Sequence, residues 1–147
     1  NKEPYRLACV TIARALEKVA PLAIEVIAPS HGVVWRKNLG AVLSAYRDWV
    51  VLRPRAKVLV VYDTMWKSTE RMAQAIAEGA TGAGVETKLM YIRASSPTFI
   101  ATEVLDAACL AFGCSTLNGT LMPQAAAVLT YLKGLRPHGK SGFAFGS

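Results

Sequence analysis

The chain has 147 residues, of which 52% are hydrophobic and 18% are charged, a composition typical of a packed globular protein rather than a disordered one. Its net charge is +7, yet no run of basic residues exceeds two, which favours a solvated basic surface over a nucleic-acid interface. Three cysteines without CxxC spacing predict a reducing, cytoplasmic location, and no apolar run reaches the roughly 18 residues that predict a membrane helix.

The first block, residues 1–53, is predicted to contain two helices and one strand. A helix rich in Ala, Leu, Arg and Lys covers about residues 5–19 and is ended by Pro21. The apolar, β-branched stretch 23–28 predicts a strand, and apolar residues at helical spacing predict a second helix over 39–49. One strand and two helices cannot cover their own apolar faces, so we expect this block to be the tail of a larger domain.

The second block, residues 54–147, alternates strands with helices. The predicted strands cover about residues 57–62, 85–91, 107–112 and 142–146, and the predicted helices cover about residues 69–81, 98–105 and 122–133. This alternation predicts an α/β fold, a doubly wound parallel sheet with crossover helices on both faces. For the strand order 2-1-3-4-5, a ligand binds between the loops that follow the first and third strands.

The loop after the first strand carries three hydroxyl side chains, on Thr64, Ser68 and Thr69, and it leads directly into a helix. Free backbone N–H groups and the positive end of the helix dipole make such a position an anion site. We therefore predict that this loop binds the phosphate of flavin mononucleotide (FMN), a cofactor that implies electron transfer. The alternative is an ordinary strand-to-helix turn in which Ser68 or Thr69 caps the helix.

The loop after the third strand, residues 113–119, is rich in hydroxyl, amide and glycine residues. At the switch point of the sheet it would lie beside the first loop, as the polar edge of a ligand site requires. Cys109 lies in the apolar run before this loop and is assigned to the core, whereas Cys114 lies in the loop itself, within reach of a ligand.

Several motifs occur together in one order along the chain. They are Ile-Ala-Pro-Ser-His-Gly at 27–32, Tyr-Asp-Thr-Met-Trp-Lys-Ser-Thr-Glu at 62–70, Ser-Thr-Leu-Asn at 115–118, Tyr-Leu-Lys-Gly-Leu-Arg-Pro at 131–137 and Phe-Ala-Phe-Gly-Ser at 143–147. In this order the chain resembles the flavodiiron proteins (A-type flavoproteins) over nearly its full length. The resemblance implies a metallo-β-lactamase-like domain with a non-haem diiron centre, joined to a flavodoxin-like domain whose FMN passes electrons to the irons.

The resemblance gives each block an expected identity. Residues 1–53 would be the C-terminal remnant of a metallo-β-lactamase-like αββα domain, and residues 54–147 a flavodoxin-like doubly wound parallel sheet, truncated at its C-terminus. The chain lacks an initiating Met and stops inside the family's third flavin loop, so we expect an internal fragment. The implied activity of the intact protein is the reduction of oxygen to water, of nitric oxide to nitrous oxide, or both; the alternative is a stand-alone flavodoxin-like electron carrier.

His31, in the Pro-Ser-His-Gly turn, is the one iron-ligand position that the resemblance retains. The family's His-x-Glu-x-Asp segment is absent, so we expect a diiron centre in the intact protein only and no activity at iron from this chain alone. Without the resemblance, a lone histidine is more often structural, because a metal site needs several ligands.

The resemblance also implies FMN contacts from three loops. The predicted cofactor-binding residues are Thr64, Met65, Trp66, Lys67, Ser68, Thr69, Ser115, Thr116, Leu117, Asn118, Gly119, Gly146 and Ser147. The first loop is expected to bind the phosphate, and the second to line the flavin ring. Flavodoxins usually have Gly at the position of Lys67, which here either adds a charge contact or faces solvent. Trp66 either lies near the flavin or its phosphate, or simply covers the helix.

The implied partners are an electron donor, such as rubredoxin or a flavin/NAD(P)H reductase, and oxygen or nitric oxide as the substrate. The family generally forms a head-to-tail homodimer that places the FMN of one chain beside the irons of the other. We expect no nucleic acid and no membrane among the partners. The basic surface would help to steer an acidic redox partner.

Overall fold

The computed structural model of the chain describes residues 4–51 and 53–147, and these divide into two compact units that meet at the boundary between Arg53 and Pro54. In the first unit, helix α1 spans Pro4–Val19 and helix α2 spans Leu39–Val50. Both helices lie where the sequence predicts them. No helix among the described residues combines the length and the apolar character that crossing a bilayer requires.

The strand predicted over residues 23–28 is wrong. This stretch makes a single antiparallel bridge, in which the N–H groups of Ile27 and Trp35 donate to each other's carbonyl oxygens at 2.9 and 2.8 Å. A strand needs a ladder of such pairs with a neighbouring segment, and the described residues of this unit supply only this one. His31 lies in the exposed turn between the two bridged residues.

The second unit alternates strands and helices as predicted. Its elements are β1 (Arg55–Tyr62), α3 (Ser68–Gly82), β2 (Glu86–Tyr91), α4 (Pro97–Asp106), β3 (Ala107–Gly113), β4 (Thr116–Leu117), β5 (Thr120–Leu121), α5 (Pro123–Leu135) and β6 (Ser141–Phe145). The main sheet has the order β2-β1-β3-β6, and every neighbouring pair is parallel. The predicted doubly wound α/β fold is therefore confirmed.

Strand β1 lies at the centre of this unit and is covered on both faces. Leu59 and Val61 belong to an apolar cluster that includes residues of α4 and α5. Val60 and Tyr62 point to the other face and cluster with Ala73 of α3. Burial on both faces explains why the strand is a continuous apolar run rather than an alternating pattern, and each large apolar side chain contributes about 1.5–3 kcal/mol when buried.

Ion pairs join the amino end of the sheet to helix α4. The Nζ atom of Lys57, on β1, lies 2.7 Å from a carboxylate oxygen of Glu103 and 2.8 Å from one of Asp106. Glu103 also pairs with Lys88 at 2.7 Å, and Asp106 pairs with Arg55 at 3.1 Å. Burial lowers the pKa of Lys57, but the bonds to the two carboxylates outweigh burial, and the pKa of Lys57 is raised overall.

Candidate functional site

The carboxyl ends of β1 and β3 lie side by side in the sheet. Tyr62 is paired with Gly113, and the N–H of Asp63 continues the ladder by donating to the Gly113 carbonyl oxygen at 2.9 Å. In the structure the first loop spans residues 63–67, because helix α3 already begins at Ser68, and the second loop spans residues 114–121. The two loops therefore leave the sheet next to each other. They do so where the strand order reverses, which is where α/β sheets of this kind bind ligands.

Helix α3 begins at Ser68 directly after the first loop, and its N-terminus has no side-chain cap. The alternative that Ser68 or Thr69 caps this helix is wrong, because the cap position is occupied by Lys67. Lys67 adopts the left-handed conformation with φ of 66°, a region that favours glycine. The N–H groups of the first helical turn have no intrahelical acceptors, so they are open to an anion.

Hydroxyl groups join the start of α3 to the second loop and to the end of the chain. The Ser115 hydroxyl oxygen accepts a hydrogen bond from the N–H of Met65 at 3.3 Å and lies 3.0 Å from the Thr69 hydroxyl oxygen. Thr69 is 0% exposed and Ser115 is 5% exposed. Nearer the surface, the hydroxyl oxygens of Ser68 and Ser147 lie 2.7 Å apart. Residues from all three predicted loops are thus brought together.

The third loop, Gly146 and Ser147, lies backbone to backbone against the second loop. The N–H of Cys114 donates to the Phe145 carbonyl oxygen and the N–H of Thr116 donates to the Ser147 carbonyl oxygen, both at 3.1 Å. A Cβ atom on Gly146 would overlap the carbonyl oxygen of Cys114, so only glycine fits there.

Two buried polar atoms in the first loop have no hydrogen-bond partner within the described part of the chain. They are the hydroxyl oxygen of Thr64 and the Oδ2 atom of Asp63. A buried polar group without a partner costs about 1–3 kcal/mol, so native structures usually satisfy it with water, an ion or a ligand. The Thr64 hydroxyl, beside the uncapped helix start, is suited to donate to a phosphate oxygen.

The other carboxylate oxygen of Asp63 is fully used. Its Oδ1 atom accepts hydrogen bonds from the N–H of Thr64 at 2.9 Å and from Nε of Arg93 at 2.8 Å. Asp63 is fully buried, and its hydrogen bond and charge raise the pKa of Arg93 above its ordinary value. Arg93 lies in a short turn after β2, and no local sequence pattern identified it as part of this site.

The second loop is not the irregular loop that the sequence predicted, because most of it is a small hairpin. Thr116–Leu117 pairs with Thr120–Leu121 in antiparallel register around Asn118 and Gly119. These two turn residues have φ of 51° and 74°, as a tight hairpin turn requires. The Asn-Gly dipeptide is the signal that would have predicted it.

Trp66 projects into solvent from the first loop, with 85% of its surface exposed. The alternative that Trp66 covers helix α3 is therefore wrong. Met65 and Lys67 beside it are also exposed. A large exposed aromatic side chain at a ligand-binding edge is suited to cover a bound ring.

His31, the predicted iron ligand, lies in the first unit and is exposed. Among the described residues, no group of three or more His, Cys, Asp and Glu side chains is arranged to hold a metal ion. The role of His31 therefore rests on the resemblance and stays a prediction.

A family model described as Flavodoxin matches residues 60–147, which include all three loops of the site. The chain belongs to the flavodoxin family. Flavodoxin domains bind FMN.

Over most of its length, including the flavodoxin domain, the chain is similar to flavodiiron proteins. Nitric oxide reductase of Moorella thermoacetica is 43% identical over 126 residues, which cover 86% of this chain and 32% of that protein. Rubredoxin-oxygen oxidoreductase of Megalodesulfovibrio gigas is 39% identical over 130 residues, which cover 87% of this chain and 32% of that protein. The chain spans about a third of the length of these relatives, and the sequence-based resemblance is confirmed.

The solved structure of the flavodiiron protein from Giardia intestinalis agrees with this result. It matches with a TM-score of 0.87 at 38% identity, over 96% of this chain and 35% of that one. The fold is therefore the flavodoxin-like fold found in flavodiiron proteins.

Proposed function

We propose that residues 54–147 bind FMN at the carboxyl edge of the sheet and carry electrons through it. The observation that carries this proposal is the uncapped start of helix α3 beside the unpartnered, buried hydroxyl of Thr64. A phosphate oxygen would accept hydrogen bonds from the hydroxyl and from the N–H groups, and the helix dipole would favour its negative charge.

The phosphate contacts come from the hydroxyls of Thr64 and Ser68 and from the first N–H groups of α3. Thr69 is the third hydroxyl of the predicted set, and its hydroxyl is paired with Ser115 in the interior. That pair holds the first turn of α3 against the second loop. Thr69 therefore supports the phosphate site from the interior of the protein. Lys67, exposed at the helix start, adds a positive charge near the phosphate.

The flavin ring lies among the exposed parts of the three loops. Its proposed neighbours are Met65, Trp66, Thr116, Leu117, Asn118, Gly119, Gly146 and Ser147. Bound FMN supplies the electron-transfer chemistry, while the chain binds, orients and shields the cofactor. The hairpin turn and the close contact at Gly146 give this part of the site a fixed backbone, which suits a rigid ring.

For the whole protein, the proposal is a flavodiiron oxidoreductase that reduces oxygen, nitric oxide or both at a non-haem diiron centre. Residues 1–53 would belong to its metallo-β-lactamase-like domain, with His31 as an iron ligand. The names of the relatives, nitric oxide reductase and rubredoxin-oxygen oxidoreductase, support this assignment. A rubredoxin or a reductase would supply electrons, and a head-to-tail homodimer would bring the FMN of one chain to the irons of the other.

Comparing FMN with riboflavin tests the cofactor proposal. Riboflavin has the same ring but no phosphate, so the chain should bind FMN at least about tenfold more tightly, the effect of one or two charge-assisted hydrogen bonds. Quenching of flavin fluorescence measures both affinities. Equal affinities would show that the loops do not form a phosphate site, and no binding of FMN would refute the function.

The whole-protein proposal needs the longer protein that contains this chain. We expect it to hold two irons per chain and to consume oxygen or nitric oxide with a reduced flavin donor, and we expect His31→Ala to lower its iron content. Full iron loading of that variant would remove His31 from the ligand set. A protein with FMN but no iron would instead indicate a stand-alone electron carrier.

A further inference from the structure

We infer that Arg93 positions the first loop for the flavin phosphate and does so through Asp63, an inference that rests on the proposed FMN site. Arg93 lies in the short turn Ile92–Ala94 after β2, outside the three loops that are predicted to contact the cofactor. Its side chain is 42% exposed, whereas the Asp63 side chain is 0% exposed. The ion pair therefore stabilises mainly the buried carboxylate of Asp63, because Arg93 is partly solvated without it.

Asp63 connects the sheet, the first loop and Arg93. Its backbone is held by the Gly113 carbonyl, and its Oδ1 atom accepts from both the Thr64 N–H and Arg93 Nε. Because both bonds end on one oxygen, the direction of the Asp63 side chain sets the position of the Thr64 backbone. Thr64 carries the unpartnered hydroxyl that would meet the phosphate. Arg93 is thus one side chain removed from a proposed ligand contact.

Charge gives Arg93 a second effect on the same site. A buried carboxylate is costly unless it is paired, and Arg93 is the cation that the described residues place against Asp63. Without Arg93, Asp63 would leave an uncompensated negative charge beside the residue that binds a negatively charged phosphate. Like charges at short range repel. By pairing with Asp63, Arg93 therefore neutralises a negative charge that would repel the phosphate.

A weaker contact extends from Arg93 towards the second loop. Its Nη2 atom lies 4.0 Å from the Met122 sulfur, and the Met122 N–H donates to the Cys114 sulfur at 3.3 Å. Met122 precedes helix α5, and Cys114 opens the second loop. The guanidinium therefore contacts Asp63, which holds the first loop, and Met122, which holds Cys114 of the second loop.

Replacing Arg93 with Met tests the inference, because Met keeps much of the side-chain length and removes the charge. We expect Arg93→Met to bind FMN about tenfold more weakly, the effect of losing one charge-assisted contact, while riboflavin affinity changes by less than about twofold. A purely structural role would weaken both ligands alike, and the FMN-to-riboflavin affinity ratio would then stay unchanged.

A second substitution separates charge from simple damage to the fold. Adding Asp63→Asn to Arg93→Met removes the stranded carboxylate and leaves an amide oxygen that can still accept from the Thr64 N–H. The double variant should regain most of the lost FMN affinity, and Arg93→Lys should keep part of it. Failure of the double variant to recover, with circular dichroism showing a folded chain, would overturn the charge argument.

Arg55 provides the matched control, because it lies at the amino end of β1, away from the carboxyl end where the three loops meet. It forms ion pairs with Glu86 and Asp106 at 2.6 and 3.1 Å. Arg55→Met should leave the FMN-to-riboflavin ratio unchanged, and an equal change in both arginine variants would overturn the inference. If the unaltered chain binds no FMN, the proposed function itself fails; if it binds FMN and Arg93→Met does not alter the ratio, only the role of Arg93 fails.

Discussion

The hydroxyl oxygens of Thr69 and Ser115 lie 3.0 Å apart although the two residues are separated by 46 positions in the chain. Both side chains are buried, so water does not compete for this hydrogen bond. The contact joins the first turn of α3 to the segment that leaves β3. The separation of the two loops is therefore set by an interior contact rather than by their exposed tips.

Thr69→Val should both destabilise the chain and weaken FMN binding. Valine keeps the volume but removes the hydroxyl, and one lost buried hydrogen bond lowers the free energy of unfolding by about 1–2 kcal/mol. Urea unfolding without flavin and fluorescence titration with FMN measure the two effects. A change in affinity without a change in stability would indicate that Thr69 contacts the phosphate directly.

Thr130 allows the same substitution where no site is involved. Its side chain is exposed on helix α5, where the hydroxyl donates to the Ala126 carbonyl oxygen at 2.8 Å. Thr130→Val should change the free energy of unfolding by no more than about 0.5 kcal/mol and should leave FMN affinity as it is.

Ser68→Ala should weaken FMN binding by about tenfold and leave riboflavin binding unchanged, because the hydroxyl is expected to donate to the charged phosphate. The Ser68 hydroxyl lies near the surface, paired with Ser147, so stability should change little. Flavin fluorescence titration measures both ligands. Unchanged FMN affinity would count against the phosphate assignment of Ser68.

Lys67→Gly should stabilise the chain. A non-glycine residue with φ of 66° destabilises the fold by about 1–2 kcal/mol because of its left-handed conformation. Glycine avoids this strain, but its greater freedom in the unfolded chain offsets about 0.5–1 kcal/mol of the gain. We expect a net gain of up to about 1 kcal/mol in urea unfolding. Lys133→Gly, in the last turn of helix α5, should instead cost up to about 1 kcal/mol; equal effects would contradict the strain at Lys67.

Lys57→Met should lower the free energy of unfolding by about 3 kcal/mol near neutral pH, because it breaks a largely buried ion-pair network. Burial raises the pKa values of Glu103 and Asp106, but the bonds to Lys57 and its neighbours outweigh burial, and both pKa values are lowered overall. Such carboxylates stabilise the fold above their ordinary pKa values and lose that contribution as pH falls through the lowered ones.

The raised pKa of Lys57 has the opposite sign: its contribution is complete below its ordinary value of 10.5 and is lost as pH rises through the folded-state value. The penalty of Lys57→Met should therefore be largest between about pH 5 and pH 10 and should shrink in acid. Unfolding curves at pH 7 and pH 3 test this, and an equal penalty at both would contradict a role for the ion pairs.

The sequence predicted the second unit well because its signals are local. An apolar run such as 58–62, followed by a polar loop and a helical pattern, marks each strand-to-helix step. The stretch 23–28 is also largely apolar and β-branched, but among the described residues it makes only the single bridge from Ile27 to Trp35. Strand formation depends on such a partner, and this is why composition alone gave the wrong answer there.

The positions of the first and second loops of the candidate site could be predicted from the sequence, but the side-chain contacts that hold these loops could not. Thr64 and Ser68 follow a strand in the sequence, and their position could be inferred from topology alone. The pairing of Asp63 with Arg93 joins residues 30 positions apart, and nothing near either residue announces it. Long-range contacts between single side chains need the folded backbone, whereas the hairpin at Asn118 could have been predicted from its dipeptide.

Helix α3 has no side-chain cap at its N-terminus, so a bound anion could take the place of the cap. At most helix starts a serine, threonine or aspartate side chain holds the first N–H groups, and here Lys67 offers none. An anion bound at this end would do the work of a cap. Binding of an anion and order in the first helical turn would then be coupled, so FMN bound as proposed should slow amide hydrogen exchange at the start of this helix.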